Sequence, residues 1–188
     1  IAMKAPATQT FGPAKVVPPP GSFLQPTKEG EAALLAGIQE ITAGAKKMAD
    51  LFAGCGTFSL PLAKDAEIHA VEGDADMVQA LDHGWRMAQG LKQVTTETRD
   101  LFRRPMMPDE LAKIDAVVLD PPRAGAEAQV AEIVQAKVPV VAYVSCNPVS
   151  FARDANQLVA GGYKLNWVQV VDQFRWSAHT ELVASFTI

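Results

Sequence analysis

The sequence predicts an α/β fold built on a doubly wound, mostly parallel seven-stranded sheet. From about residue 47 onward, short apolar segments alternate with amphipathic helical segments, which is typical of a parallel sheet. The apolar segments are nearly continuous, so helices are expected on both faces of the sheet. The last two apolar segments are joined by a connection too short for a parallel crossover. They should therefore form an antiparallel hairpin, with the final strand antiparallel to the rest.

The individual elements follow from periodicity and turn residues, in chain order. The first 22 residues contain five prolines and are expected to form a linker or arm that adds nothing to a core. Thr27 can cap a helix over residues 27–43, where apolar side chains recur at helical spacing. The predicted strands cover residues 47–52, 68–72, 93–98 (a weaker pattern), 114–120, 138–144, 163–171 and 182–188. The predicted helices between them cover residues 58–64, 75–89, 127–136 and 149–160.

Composition excludes several classes of protein. The chain has 188 residues, 48% hydrophobic and 20% charged, as in a single globular domain. Its two cysteines are too few for a disulfide framework or a cysteine-based metal cluster, which favours a reducing, cytoplasmic location. No apolar run is long enough for a membrane span, and a signal peptide is not expected. The chain begins at Ile1 without an initiator methionine, so a piece of a longer protein is expected.

Charge bears on possible partners. The net charge is −4 and the isoelectric point is about 5.4, which is not the electrostatic footprint of a nucleic-acid-binding domain. Any surface for RNA must therefore be local, or lie on a part of the protein outside this chain.

A glycine turn between a strand and a helix indicates a nucleotide-like cofactor. The segment Asp50–Phe58 contains Gly54 and Gly56, which allow a tight turn and close approach to a ligand. Ser59 stands where a dinucleotide fingerprint has its third glycine, which argues against a nicotinamide cofactor. Glu72 ends the next strand, where a carboxylate can accept hydrogen bonds from ribose hydroxyls. This combination favours S-adenosylmethionine, although Glu72 could instead be a solvated charge at the end of a strand.

Two further motifs follow predicted strands. Asp120–Arg123 reads Asp-Pro-Pro-Arg, and its prolines hold the backbone rigid at the end of the strand. Cys146 follows the apolar run that ends at Val144, in the sequence Ser-Cys-Asn-Pro. In open α/β sheets, ligands bind at the carboxyl ends of the strands, so both motifs are placed for chemistry. The structural alternatives are that Cys146 is a small buried hydrophobe and that Asp-Pro only starts a turn.

These motifs together resemble those of the RNA (uracil-5-)-methyltransferases. The resemblance runs from about Ser22 to Ile188 and rests on Asp50–Phe58, Asp120–Gly125, Val144–Asp154 and His179–Glu181. It implies a Rossmann-like class I fold, with residues 23–188 as the S-adenosylmethionine-dependent catalytic domain. It also implies formation of 5-methyluridine in tRNA or ribosomal RNA. The family's N-terminal RNA-binding domain and iron–sulfur cysteines are not visible in this sequence.

The resemblance also assigns roles to individual residues. By the resemblance, Cys146 corresponds to the nucleophile and Glu181 to the base. Asp120 corresponds to the acid of the Asp-Pro-Pro-Arg motif, and this acid also contacts the cofactor. The family's Phe-x-Gln segment matches Phe23–Gln25. No metal is implied. One departure is that Phe174 is followed by Arg175, where the family usually has proline. The residues expected to bind the cofactor are Gln25, Phe52, Gly54, Thr57, Glu72 and Asp120.

The chemistry explains why these residue types are needed. Carbon 5 of uracil is a poor nucleophile until a thiolate adds to carbon 6, and only cysteine is both nucleophilic enough and a good leaving group. A carboxylate must later remove the carbon 5 proton, which suits Glu181. The target base must also leave its stack to reach the site.

Other interpretations stay open at this point. An amino-group methyltransferase of the Asp-Pro-Pro type needs a stacking aromatic where Arg123 stands. A non-catalytic module that binds S-adenosylmethionine or RNA would not need both Cys146 and Glu181. Arg153 could contact a phosphate or a carboxylate, or be a solvated charge. His179 could orient Glu181 or be structural.

Overall fold

The computed structural model describes residues 6–174, 176–177 and 179–188. Two features of the sequence lie outside the described residues. They are the first five residues of the predicted arm and Arg175, which departs from the family pattern. In chain order, the strands are β1 (Gln9–Phe11), β2 (Ala14–Val16), β3 (Lys47–Leu51), β4 (Glu67–Glu72), β5 (Val94–Thr98), β6 (Ala116–Leu119), β7 (Val140–Ser145), β8 (Lys164–Val171) and β9 (Glu181–Thr187). The helices are α1 (Lys28–Ile41), α2 (Ser59–Leu62), α3 (Ala75–Met87), α4 (Pro108–Leu111), α5 (Glu127–Ala136) and α6 (Pro148–Ala160).

Seven strands form one sheet in the order β5-β4-β3-β6-β7-β9-β8. The five strands from β3 to β7 pair in parallel, and β9 lies antiparallel between β7 and β8. The predicted fold class, including the antiparallel last strand, is confirmed. The chain moves outward from β3 in one direction through β4 and β5, and in the other through β6 and β7. This reversal opens a crevice at the carboxyl ends of β3, β4, β6 and β7, where ligands bind in such sheets.

Helices cover both faces of the sheet and enclose two apolar clusters. On one face, Leu34 and Ile38 of α1 pack with Leu81 of α3. On the other, Ile133 of α5 and Leu158 of α6 pack with alternate strand side chains. Burial of strand side chains on both faces explains their nearly continuous apolar sequence.

Part of the predicted arm is structured. Strands β1 and β2 form an antiparallel hairpin whose turn contains Gly12 and Pro13. Phe11, Ala14 and Val16 are buried in the same cluster as α1 and α3. The expectation that the first 22 residues add nothing to a core is therefore wrong for this hairpin. The prolines lie outside the two strands, where they remove no ladder hydrogen bond, so the apolar residues between them are free to pack.

The predicted helices and strands otherwise lie within a few residues of the observed ones. Thr27 caps α1, where its side chain accepts a hydrogen bond from the amide of Gly30 at 3.0 Å. The single-turn α4 is not predicted by periodicity, because four residues are too few to show a helical pattern. Pro108 starts this turn, and the Glu110 side chain accepts from the amide of Met107.

Candidate active site

A cavity of about 760 Å³ lies at the carboxyl ends of the central strands. This volume is typical of small-molecule sites. The cavity lies at the crevice created by the reversal of strand order. It is lined by every site residue that the sequence predicts, namely Gln25, Phe52, Gly54, Thr57, Glu72, Asp120, Cys146 and Glu181.

The carboxylate of Glu72 organises the glycine turn after β3. Its Oε2 accepts from the amide of Gly54 at 3.0 Å. Its Oε1 accepts from the amides of Gly73 at 2.7 Å and Asp74 at 3.1 Å. A carboxylate has about four lone-pair positions, so Glu72 still has acceptor capacity on Oε2. Glu72 therefore fixes the turn and can also accept a hydrogen bond from a ligand.

Phe52 adopts an unusual backbone conformation at the start of the turn. Its φ is 65°, which is in the left-handed region. This conformation is energetically unfavourable for any residue that has a side chain. The amides of Phe52 and Ala53 both donate to the carbonyl of Val71, at 2.9 and 3.1 Å. The ring lies 5.4 Å from that of Phe102, centroid to centroid. The strained turn thus places an aromatic wall in the cavity, continued by Phe102 from the loop after β5.

Beneath the turn lies an acid that the sequence analysis did not single out. Asp50 is only 1% exposed, and its Oδ2 accepts from the hydroxyl of Ser59 at 2.5 Å. Burial raises the pKa of Asp50 to about 7, with a smaller contribution from the charge of Glu72. Ser59 takes the place of the missing third glycine. It therefore ties the first turn of α2 to β3.

Cys146, Asp120 and Glu181 form the other half of the site. Burial raises the pKa of Asp120 well above its ordinary value, and the charge of Glu181 raises it further. Burial also raises the pKa of Glu181, to about 7. The pKa of the Cys146 thiol is raised by burial and then by the charges of both acids. The three groups are thus electrostatically coupled, and the thiol is protonated at neutral pH.

The loop that carries Cys146 is joined to the Asp-Pro-Pro-Arg loop. Asn147 caps α6 by accepting from the amide of Val149 at 3.1 Å. The same side chain donates from Nδ2 to the carbonyl of Arg123 at 2.8 Å. Pairing of β6 with β7 brings the two loops to the same edge of the sheet. Asn147 is therefore the residue that connects them next to the nucleophile.

Two basic residues considered in the sequence differ in their placement. His179 lines the cavity, and its ring lies 6.0 Å from that of Phe174 in a T-shaped arrangement. Arg153 does not line the cavity. Its guanidinium binds Asp154 at 2.7 Å and the carbonyl of Ala124 at 3.0 Å. The arginine is thus a structural partner within the protein, and the suggestion that it contacts a substrate phosphate is not supported.

Asp100, which lines the cavity, and Gln173, which precedes the lining residue Phe174, both escaped sequence reasoning. Asp100 lies in the loop after β5. Its position just after the carboxyl end of a strand was the only feature of the sequence that could have indicated a place in the cavity. Gln173 precedes Phe174 and bonds to Gln25, a contact across 148 positions that no local pattern reveals.

The described residues hold neither a metal-binding cluster nor a membrane-spanning helix. They contain no group of three or more His, Cys, Asp or Glu side chains arranged to hold a metal ion. Within the same residues, every helix is too short or too polar to cross a bilayer.

Comparisons with known proteins agree with this geometry. The sequence profile described as tRNA (Uracil-5-)-methyltransferase matches residues 18–185. An uncharacterised RNA methyltransferase of Mesorhizobium japonicum is 55% identical over 174 residues, which are 93% of this chain and 42% of that protein. A 23S rRNA (uracil(1939)-C(5))-methyltransferase of Chromohalobacter salexigens is 40% identical, over 89% of this chain and 35% of its own length.

A solved structure gives the same result. The Pyrococcus abyssi tRNA (uracil-54, C5)-methyltransferase, in complex with S-adenosyl-L-homocysteine, superposes with a TM-score of 0.82 and 26% identity. The match covers 96% of this chain and 44% of that one, so the chain spans less than half the length of the relatives it matches. Fold, cavity and sequence thus agree, and the chain belongs to the tRNA (uracil-5-)-methyltransferase family, whose members are S-adenosylmethionine-dependent RNA methyltransferases.

Proposed function

We propose that the protein transfers a methyl group from S-adenosylmethionine to carbon 5 of a uridine in tRNA or ribosomal RNA, through a covalent Cys146–uracil adduct. The observation that carries this proposal is a single cavity lined by Cys146, Asp120, Glu181 and all the cofactor candidates. That cavity offers a nucleophile and two acids beside a glycine turn suited to a nucleoside. The names of the relatives that methylate carbon 5 of uracil support the same reaction.

The residues present fit S-adenosylmethionine. Glu72 keeps acceptor capacity for a ribose hydroxyl, and Phe52 with Phe102 offers apolar walls for a flat base. Asp100 lies beside that wall and can accept from an amino group. Bound there, the cofactor supplies an electrophilic methyl group on a sulfonium. The acids that line this cavity favour that positive charge.

Cys146 opens the reaction by adding its sulfur to carbon 6 of the uracil. The addition makes carbon 5 nucleophilic, because the electron pair moves onto the ring as an enolate. The thiol must lose its proton in this step, since its pKa is raised. Asp120 and Glu181 are the carboxyls whose charges act on this thiol, so they are the candidate acceptors for its proton.

Glu181 completes the reaction. After the methyl group has arrived, carbon 5 still carries its hydrogen, and Glu181 removes it as a proton. The bond between carbon 6 and the sulfur then breaks, and Cys146 leaves as a thiolate. A pKa of about 7 suits this base, because the carboxyl can accept and release a proton near neutral pH. Among the described residues, the buried Oε2 of Glu181 has no hydrogen-bond partner, which leaves it available.

The proposal extends to the domain organisation and the compartment. We assign the catalytic domain to residues 23–188, with RNA affinity coming largely from parts of the protein outside this chain, because the chain is acidic. A reducing compartment, the cytoplasm, suits an enzyme whose nucleophile is a free thiol.

The competing function is an amino-group methyltransferase of the Asp-Pro-Pro type. In this protein Arg123 lines the cavity where such an enzyme needs an aromatic ring to stack its target. The experiment that separates the two uses the full-length protein with RNA that contains 5-fluorouridine. In 5-fluorouridine, fluorine replaces the hydrogen on carbon 5, so the base has no proton to remove and Cys146 cannot be eliminated. A covalent protein–RNA adduct should therefore be trapped on Cys146 and seen by mass spectrometry. Methylated adenine or cytosine without an adduct would support the alternative.

A further inference from the structure

Asp154 is a buried acid on α6 that the proposed reaction does not use. Its side chain is 0% exposed, and its residue does not line the cavity. It lies about two helical turns beyond Cys146, at the end of the sequence motif Val144–Asp154 that carried the family resemblance. Buried acids are retained only when hydrogen bonds or charges satisfy them.

Three donors converge on the carboxylate of Asp154. The hydroxyl of Tyr143 and the amide of Ala126 both donate to Oδ2, at 2.5 and 2.6 Å. The guanidinium of Arg153 donates from Nε to Oδ1 at 2.8 Å, and its Nη2 lies 2.7 Å from the same oxygen as part of the ion pair. Burial and Asp154 itself raise the pKa of Tyr143, so its hydroxyl remains a donor.

These donors come from strand β7, helix α6 and the Asp-Pro-Pro-Arg loop, which surround the nucleophile half of the site. Tyr143 belongs to β7, three residues before Cys146. Ala126 ends the Asp-Pro-Pro-Arg loop, immediately before α5. Arg153 reaches the same loop a second time, at the carbonyl of Ala124. The carboxylate therefore lies at the junction of β7, α6 and the loop after β6.

The junction is also closely packed. Gly125 has a φ of 79°, and a Cβ at this position would lie 2.6 Å from both Asp154 Oδ2 and Arg153 Nη2. The loop can approach the carboxylate this closely only because it has glycine there. A small change in the position of Asp154 must therefore move the loop.

We propose that Asp154 is a positioning residue that holds the Asp-Pro-Pro-Arg loop at the separation from the Cys146 loop that the reaction requires. The proposal rests on the proposed function for its consequence in catalysis. Asp154 acts at the end of the loop through the amide of Ala126, and Asn147 acts in its middle through the carbonyl of Arg123. Loss of this restraint displaces Asp120 and Arg123 relative to the thiol. Misplacement of reacting groups by about 1 Å costs roughly 100-fold in rate.

The test uses Asp154→Asn in the full-length protein, with Tyr163→Phe as a matched control. Asparagine is nearly the same size as aspartate, but its NH₂ group cannot accept a hydrogen bond. It would therefore place a donor against one of the donors that Asp154 binds. Tyr163 is a similarly buried tyrosine that bonds to the carbonyls of Ile133 and Val138, away from the cavity. Asp154→Asn should lower kcat and the rate of adduct formation with 5-fluorouridine RNA by roughly 10- to 100-fold, with KM for the cofactor changed less than twofold. Tyr163→Phe should destabilise the protein and leave kcat unchanged.

Tyr143→Phe keeps the proposal testable where Asp154→Asn fails to fold, because it removes only one of the three donors. It should lower kcat less than Asp154→Asn, and the two changes together should be less than additive. Hydrogen exchange at the Ala126 amide is read without any activity and should accelerate in both variants. If the wild-type protein does not methylate uridine, the proposed function is refuted. The exchange rate of the Ala126 amide still tests whether Asp154 restrains the Asp-Pro-Pro-Arg loop. Unchanged kcat or unchanged exchange in well-folded variants would overturn the positioning role.

Discussion

Gln173 donates a hydrogen bond from Nε2 to Oε1 of Gln25 over 2.6 Å. The bond joins the segment before α1 to the segment between β8 and β9, and both segments line the cavity. Because its Oε1 is occupied, Gln25 presents its NH₂ group as the free donor. Gln173 is buried, and its Oε1 lies against Gly30. The orientation of a proposed cofactor ligand therefore depends on a glycine in the first turn of α1.

Gly30→Ala tests this dependence. In a helix, alanine is normally favoured over glycine by about 0.5–1 kcal/mol. Here, however, a Cβ would lie 2.0 Å from Gln173 Oε1, so Gln173 must move and release Gln25. We expect a loss of about 1–3 kcal/mol in the free energy of unfolding, and weaker cofactor binding by titration calorimetry. Glu29→Ala, at the exposed neighbouring position, should leave the affinity unchanged. A more stable Gly30→Ala protein with normal affinity would contradict the prediction.

Glu72→Ala should weaken the binding of S-adenosylmethionine. The change removes an acceptor for the ribose and the three bonds that shape the turn at Gly54. We expect a loss of about 1.5–3 kcal/mol in binding free energy, the range for hydrogen bonds to a charged group. Glu67→Ala is the control, because Glu67 begins the same strand at the opposite end and is exposed. Equal affinities for all three proteins would remove Glu72 from this role.

Cys146→Ala and Glu181→Gln should fail at different steps. Without the thiol, neither methylation nor a covalent adduct should occur. With glutamine at position 181, addition and methyl transfer remain possible, but the proton on carbon 5 is not removed. A slowly migrating protein–RNA band should therefore accumulate on a denaturing gel for Glu181→Gln and be absent for Cys146→Ala. Cys55→Ala, a change at the other thiol, should behave as the wild type.

Two outcomes of that experiment would change the mechanism. Normal turnover by both variants would refute covalent catalysis by Cys146. An inactive Glu181→Gln protein that never forms the band would mean that Glu181 acts before methyl transfer or only supports the structure.

The stability of the protein should depend on pH through Glu181. Its pKa is about 7 in the folded protein against an ordinary value of 4.5, so folding favours the protonated form. Burying the ionised carboxylate of Glu181 lowers the free energy of unfolding. This cost is absent below pH 4.5, grows as the pH rises from 4.5 to 7, and is then constant at about 3 kcal/mol. Glu181→Gln removes an ionisable group. In urea unfolding, it should therefore be more stable than the wild type by up to about 3 kcal/mol at pH 8 and equal to it near pH 4. A difference that is the same at both pH values would contradict this linkage.

This chain by itself should bind RNA poorly. Phosphate contacts dominate affinity for nucleic acids, and the net charge here is −4. Filter binding at physiological salt should show little retention of RNA compared with the full-length protein. Tight binding that weakens steeply with added salt would reveal a local basic surface strong enough to overcome the net charge.

The sequence by itself determined the sheet, its antiparallel last strand and eight of the residues that line the cavity. Apolar strands alternating with helices specify a parallel sheet, since each strand is buried on both faces. The carboxyl ends of parallel strands lie at one edge, so motifs after β3, β4, β6 and β7 had to meet there. The Pro-rich start was misjudged, because prolines outside two short strands do not prevent the residues between them from packing.

Only the tertiary structure decided the contacts that orient these residues. Asn147 meets Arg123, Asp154 meets Ala126, and Gln173 meets Gln25, across separations of 24, 28 and 148 positions. Such pairs leave no periodicity in a sequence, because each depends on how loops from different strands pack. The raised pKa values of Cys146 and Glu181 have the same origin. The pKa of Glu181 is raised by burial, and the pKa of Cys146 by burial and then by the charges of Glu181 and Asp120. These conditions exist only once the sheet has brought the groups together.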